Sequence, residues 1–161
     1  MGSSVEFALG QFLSADPLIL EMVQTKPQPP RIFPMVVPQG QPRDKPAIVY
    51  EVMAESENFT LAHGPHGLPS TTILLECRSP KRMEVRKLAK LVKESRGGND
   101  DNRRLNGFVG SLGQGYVVQM AKVENSSYDY EPPIKDAEVG THIMALELVL
   151  WWNNDDSLLT Q

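Results

Sequence analysis

Seven of the 13 prolines lie within the 20 residues from Pro27 to Pro46, and Pro30, Pro34, Pro38, Pro42 and Pro46 recur every four positions. Proline lacks an amide donor, fixes its own φ and pushes the preceding residue toward extended backbone. No helix can form there, and a four-residue period does not match the three-residue turn of polyproline II. The segment is expected to be an extended arm with turns. Glycine clusters in the same way. Six of the 12 glycines fall between Gly97 and Gly115, which predicts a second, flexible region around Gly97-Gly98-Asn99-Asp100.

The 161-residue chain suits one ordinary domain, residues 1–152, followed by a polar tail, residues 153–161, expected to fray. With 40 % apolar residues, 22 % charged residues and a net charge of −4, it belongs with soluble globular proteins rather than disordered or collagenous ones. Its longest apolar candidate for a membrane span, Met144 to Trp152, is too short and is broken by Glu147. Met1 to Leu13 has no basic residue ahead of its apolar ones, so it does not read as a secretory signal. The single Cys77 cannot form an internal disulfide, which fits a reducing compartment such as the cytosol.

Apolar periodicity places the elements. Val5, Leu9, Phe12 and Leu13 share a helical face, and Asp16-Pro17 supplies a cap and a first helical residue for a second helix over Leu18 to Val23. Arg31 to Phe33 is a short edge strand. Ala47 to Ala54 and Thr71 to Cys77 alternate as strands, with Ile48, Tyr50 and Val52 and then Ile73, Leu75 and Cys77 on their apolar faces. Glu55 to Pro69 reads as a loop. Ser79-Pro80 opens a helix whose core stripe is Val85, Leu88, Ala89 and Val92. Tyr116 to Val123 and Val139 to Trp152 complete the strands, the second with His142, Met144, Leu146, Leu148, Leu150 and Trp152 on one face. The result is an α+β fold: an antiparallel, about four-stranded sheet with helices packed on one face and an extended proline-rich arm.

Chemistry-bearing constellations are sparse. His63 and His66 are separated by Gly64-Pro65, which denies them the helical spacing of a zinc site. Cys77 sits on a strand's apolar face, where a buried inert thiol is expected. Gly107 to Gly115 lacks a P-loop lysine and a G-x-G-x-x-G pattern. No catalytic, metal-binding or cofactor-binding residue is therefore expected, and no enzymatic activity.

Charge is more telling. Residues 81–96 hold seven basic residues (Lys81, Arg82, Arg86, Lys87, Lys90, Lys93, Arg96) against Glu84 and Glu94, whereas residues 121–161 hold eight acidic residues against Lys122 and Lys135. Three readings stand: a solvated helix face with an acidic tail, a head-to-tail contact between copies in a ring, or nucleic-acid binding by the basic helix. The net negative charge and the lack of interleaved aromatics weigh against the third. Between the last two strands, Asn125 to Pro133 forms a polar loop whose Tyr128 and Tyr130 can anchor a partner or merely complete a hairpin connection. Of Trp151 and Trp152, adjacent on a strand, at least one leaves the core side, for an interface or a satellite contact.

The order of these pieces resembles the tail-completion or tail-terminator family of long-tailed bacteriophages. Arg31-Ile32-Phe33-Pro34, then Val37-Pro38-Gln39-Gly40, then Ala47-Ile48-Val49-Tyr50, a strand ending in Glu76-Cys77 and a Lys/Arg-rich helix carry the resemblance, which spans Phe7 to Trp152. The Gly97 to Gly110 stretch and the Glu55 to Pro69 loop are longer than the family pattern needs. The resemblance implies a virion protein without catalytic residues, assembled in the host cytoplasm. It implies a ring, typically a homohexamer, on the head-proximal end of the tail tube, where it stops tube growth and offers a joining surface to the head. Its expected partners are itself, the tail tube protein and a head completion or connector protein, with no membrane and no direct nucleic-acid contact. A head-tail connector or minor tail completion protein is the neighbouring alternative, and a nucleic-acid-binding module using residues 80–96 the alternative of another class. The candidate interface residues are Arg31, Phe33, Lys81, Arg82, Arg86, Lys90, Tyr128, Tyr130 and Glu131. The arm suits reaching to a neighbouring subunit, since its prolines have already removed part of the ordering entropy.

Overall fold

The computed structural model describes residues 4–42, 44–56, 59–60, 64–65, 69–98, 103–133 and 139–154. Along the chain lie α1 (Val5–Ser14), α2 (Pro17–Val23), β1 (Ile32–Pro34), β2 (Ala47–Ser56), β3 (Phe59–Thr60), β4 (Gly64–Pro65), β5 (Ser70–Ser79), α3 (Arg82–Lys93), β6 (Gly110–Gly113), β7 (Tyr116–Glu131) and β8 (Thr141–Asn154). The pair His63 and His66 lies outside the described residues. So do Asn99 and Asp100 of the glycine region.

Six strands form one sheet in the order β1-β2-β5-β8-β7-β6, while β3 and β4 pair separately. The sheet is mixed, because β1 runs parallel to β2 with Phe33 opposite Val49. The expected fold class, an antiparallel four-stranded sheet with packed helices and an extended arm, is corrected on these grounds. Among the described residues sheet outweighs helix.

Three physical reasons account for the difference. First, a parallel pair needs a crossover of about a dozen residues, and the proline segment between Pro34 and Ala47 is that crossover. It closes back on its own chain instead of projecting. The buried Arg31 gathers it: Nε donates to the Pro46 carbonyl at 3.1 Å, Nη1 to Gln41 Oε1 at 3.3 Å, and Nη2 to the carbonyls of Pro42 and Lys45.

Second, the glycine region is built rather than flexible where it is described. Leu105 and Phe108 are buried in the core, and Phe12 meets Phe108 edge-on with centroids 5.3 Å apart. Gln114-Gly115, both at positive φ, make the two-residue turn that pairs β6 with β7, the geometry expected of a type I′ hairpin.

Third, residues 125–131 are strand, not loop. They continue β7 along β8, with Tyr128 opposite Met144 and Tyr130 opposite His142. Register shifts between Val118 and Met120 and between Val123 and Asn125 break the simple alternation that a strand of this length would otherwise display.

The helices lie where the sequence places them, except that α3 begins at Arg82, with Lys81 rather than Ser79 at its N-cap position. Asp16 caps α2 by accepting from the Leu18 amide at 2.9 Å, with Pro17 in the first turn. The α3 stripe Val85, Leu88, Ala89 and Val92 is fully buried. Ser79 accepts from the Lys81 amide at 3.2 Å and donates to Glu84, which ties down the start of α3.

One core joins the helices to the sheet's inner face. Val5, Leu9, Phe12, Leu13 and Ile19 meet Ile48, Tyr50, Ile73, Leu75, Leu146, Leu148 and Leu150 in a single buried cluster. Trp152 packs beside it, edge-on to Tyr116 at 5.2 Å, with Nε1 donating to Thr71 Oγ1 at 2.8 Å. That indole is therefore a satellite contact within the chain. Cys77 is fully buried on the same face, and desolvation pushes its thiol up to about 12.

Candidate functional site

Side chains alternate across a strand, so the residues between the core positions form the opposite, outer face. Register sets its rows. Phe33, Val49, Glu76, Ala145 and Ser127 align in one row, and Glu51, Leu74, Glu147 and Asn125 in the next. Val49, Ile143 and Val149 on this face are buried yet lie outside the main core cluster. Among the described residues no helix covers it. Carboxylates are frequent here: Glu51, Glu76, Asp129, Glu131 and Glu147 share the face with Arg78 and Lys122.

Two of those acids are engaged at one end. Arg78 Nη1 meets Glu76 Oε2 at 2.7 Å and its Nη2 meets Glu131 Oε2 at 2.6 Å, linking β5 to the end of β7. Beside this bridge lies an open groove of about 350 Å³, roofed by the proline crossover at Met35, Val36 and Val37 and floored by Val49, Arg78 and Glu131.

On the inner side, beyond the start of α3, a second cluster forms. The Arg82 guanidinium sits 5.0 Å from the centre of the Tyr128 ring, close enough for a cation–π contact. Tyr128 stacks on His142 and shares a hydrogen bond between its hydroxyl and Nδ1, and Tyr130 lies against the same imidazole at 4.8 Å. Basic helix and tyrosine strand thus meet within one chain.

The structure places the nine expected interface residues in four groups. Arg82, Tyr128 and Tyr130 come together on the inner side at the end of the β7–β8 ribbon, with Lys81 next to Arg82 and within 4.0 Å of Glu84, while Glu131 lies on the outer face, paired with Arg78. Arg86 and Lys90 stand exposed one turn apart on α3, away from that cluster. Arg31 and Phe33 lie at the opposite sheet edge, where Arg31 is spent on the crossover carbonyls and sits 5.7 Å above the Phe33 ring. Burial lowers the Arg31 guanidinium from its ordinary value, and Asp44 partly offsets this. His142 and Arg78 were not singled out by the sequence. The signal for both was register: each follows once Tyr130 and Glu131 are read as strand rather than loop.

The outer α3 surface is the other notable feature. Arg86, Lys87 and Lys90 are exposed, and among the described residues no ion pair engages them. Like charges at these spacings repel along a helix. Among the described residues no group of side chains is arranged to hold a metal ion, and Cys77 is buried.

The class of molecule so defined is a small mixed-sheet protein in which, among the described residues, the helices pack on one face of the sheet and a charged face lies on the other. Its fold is similar to that of a chain in the virion of a native gene transfer agent particle, with a TM-score of 0.60, 92 % of this chain and 94 % of that one covered, and 13 % sequence identity. No family model and no curated protein matches the sequence.

Proposed function

We propose that this chain is a structural protein of a phage-type virion, without enzymatic activity, and that it acts at the head-proximal end of the tail as a ring-forming terminator. The observation that carries the reading is the whole-length fold likeness to a chain of a gene transfer agent virion. The sequence resemblance through Arg31 to Pro34, Pro38 to Gly40 and the Ile48, Tyr50 strand supports the finer, tail-terminator part. Its partners in this reading are further copies of itself, the tail tube protein and a head completion or connector protein. Stacked rings have no intrinsic end, so a terminator has to match the tube on one side and refuse it on the other.

Gold-labelled antibody on negatively stained particles tests the virion assignment, and label at the junction of head and tail is expected. Particles lacking the protein should show overlong tubes or tails unjoined to heads. Normal tails joined to heads in its absence would exclude the role, and label at the distal end would move it to another tail position.

A further inference from the structure

We infer that copies of this chain associate face to back, the cationic outer surface of α3 on one copy seating on the acidic outer face of the sheet on the next. The inference rests on the ring-forming part of the reading above and adds the two surfaces that meet. Three observations carry it.

The two surfaces lie on opposite sides of the molecule. The α3 stripe Val85, Leu88, Ala89 and Val92 is buried toward the inner face of β5 and β8, so Arg86, Lys87 and Lys90 point away from the sheet. Glu51 and Glu147 belong to the other face, in one register row with Leu74 between them. Two different patches that complement each other from opposite sides generate heterologous contacts, which build rings when the rotation closes.

Each surface carries charge its own chain leaves uncompensated. Among the described residues no ion pair engages Arg86, Lys87, Lys90, Glu51 or Glu147. Spacing matches as well. Strands sit about 4.8 Å apart, which puts Glu51 and Glu147 about 10 Å from each other across the row. Arg86 and Lys90, one turn apart, stand about 6 Å from each other along the helix, and their long flexible side chains can span the remaining difference.

The outer face also holds apolar surface that a solvated sheet has no use for. Leu74, Ala145 and Trp151 on it are only half-buried, whereas Val49, Ile143 and Val149 are already buried within the chain, Val49 beside the proline crossover. On α3 the exposed Met83 beside Lys87 supplies a flexible apolar partner. A duplex nucleic acid would use the cations but would leave this acidic, apolar face without an occupant, which is why a second copy is favoured.

A charge-exchange experiment on the full chain tests the inference. Variant one carries Lys87→Glu and Lys90→Glu; variant two carries Glu51→Lys and Glu147→Lys. All four positions leave the main core untouched, and thermal melts by circular dichroism check that each variant folds. Sedimentation at low salt should show the wild-type chain associating, with association weakening as salt rises. Each variant alone should self-associate at least about 100-fold more weakly, since like charges then face each other. An equimolar mixture should recover association, because helix one then fits sheet two and helix two fits sheet one, and native mass spectrometry should find the variants alternating. A wild-type chain that stays monomeric at high micromolar concentration, variants that associate normally, or a mixture that does not recover would each overturn the inference. Duplex DNA binding lost in variant one, without self-association of the wild type, would overturn it too and assign α3 to nucleic acid. Each of these results leaves the virion assignment standing, because antibody labelling of particles reads that separately.

Discussion

The Ser95 hydroxyl, at the exit of α3, donates to Asp16 Oδ2 at 2.7 Å, while Asp16 Oδ1 accepts from the Leu18 amide at the start of α2. One buried carboxylate therefore caps one helix and anchors the end of another, although the residues stand 79 positions apart. Removing the hydroxyl leaves a buried carboxylate oxygen without its partner. Ser95→Ala is expected to cost about 1–3 kcal/mol, and Asp16→Ala more, because it removes the cap as well. Urea denaturation followed by circular dichroism checks both, and equal stabilities would show that the link is inconsequential.

The proline crossover depends on Arg31. Its guanidinium reaches three crossover carbonyls and the Gln41 side chain, an arrangement that uses the planar fork of arginine. Arg31→Lys is expected to rescue little of what Arg31→Ala loses. Hydrogen exchange at residues 35–46 should accelerate at least about tenfold in both variants. Unchanged protection of that segment in Arg31→Ala would mean that the prolines hold the crossover without it.

Gly97 and Gly40 both adopt positive φ, but only one is crowded. A Cβ at Gly97 would lie 2.3 Å from the Phe12 ring, whereas at Gly40 it would meet nothing within 4 Å. Gly40→Ala should cost about 1 kcal/mol, from backbone conformation alone. Gly97→Ala should cost roughly 3 kcal/mol or more, because the Phe12–Phe108 pair must move. Paired thermal melts decide this, and equal shifts would show that the ring gives way freely.

Cys77 is fully buried. Its thiol is pushed from 9.0 to about 12, chiefly by desolvation, with Lys93 opposing slightly. The unfolded chain releases that proton first as pH rises, so this group leaves stability unchanged below about 9 and lowers it between 9 and about 12. Native protein at pH 8 should resist a thiol reagent and react promptly once denaturant is added. Fast labelling of the native state would show that the strand opens locally.

The elements that could be read directly were those whose signal is local. Asp16-Pro17 and Ser79-Pro80 mark helix starts through the chemistry of single residues, and the α3 stripe repeats at helical spacing. The inner-face residues Ile73, Leu75 and Leu146 to Leu150 alternate as a half-buried sheet requires. The interface candidates were legible as residue types, but not as groups. Arg82, Tyr128 and Tyr130 meet only because β7 runs on through residues 125–131, whose Asn, Ser and Asp composition argues locally for a loop. Phe108 and β6 were hidden among glycines whose conformational freedom serves tight turns and close packing.

From its sequence alone this protein was bound to have non-helical backbone between Pro27 and Pro46, a capped helix after Asp16, a further helix after Ser79-Pro80, and a cationic α3, because each follows from chemistry within a few neighbouring residues. Only the tertiary structure decided that the proline segment is a parallel crossover gathered by Arg31, that the sheet has six strands, and that α3's cations and the sheet's carboxylates face opposite ways. Those outcomes depend on strand pairing between distant segments, whose register is set by the burial of a whole face rather than by any residue's own preference.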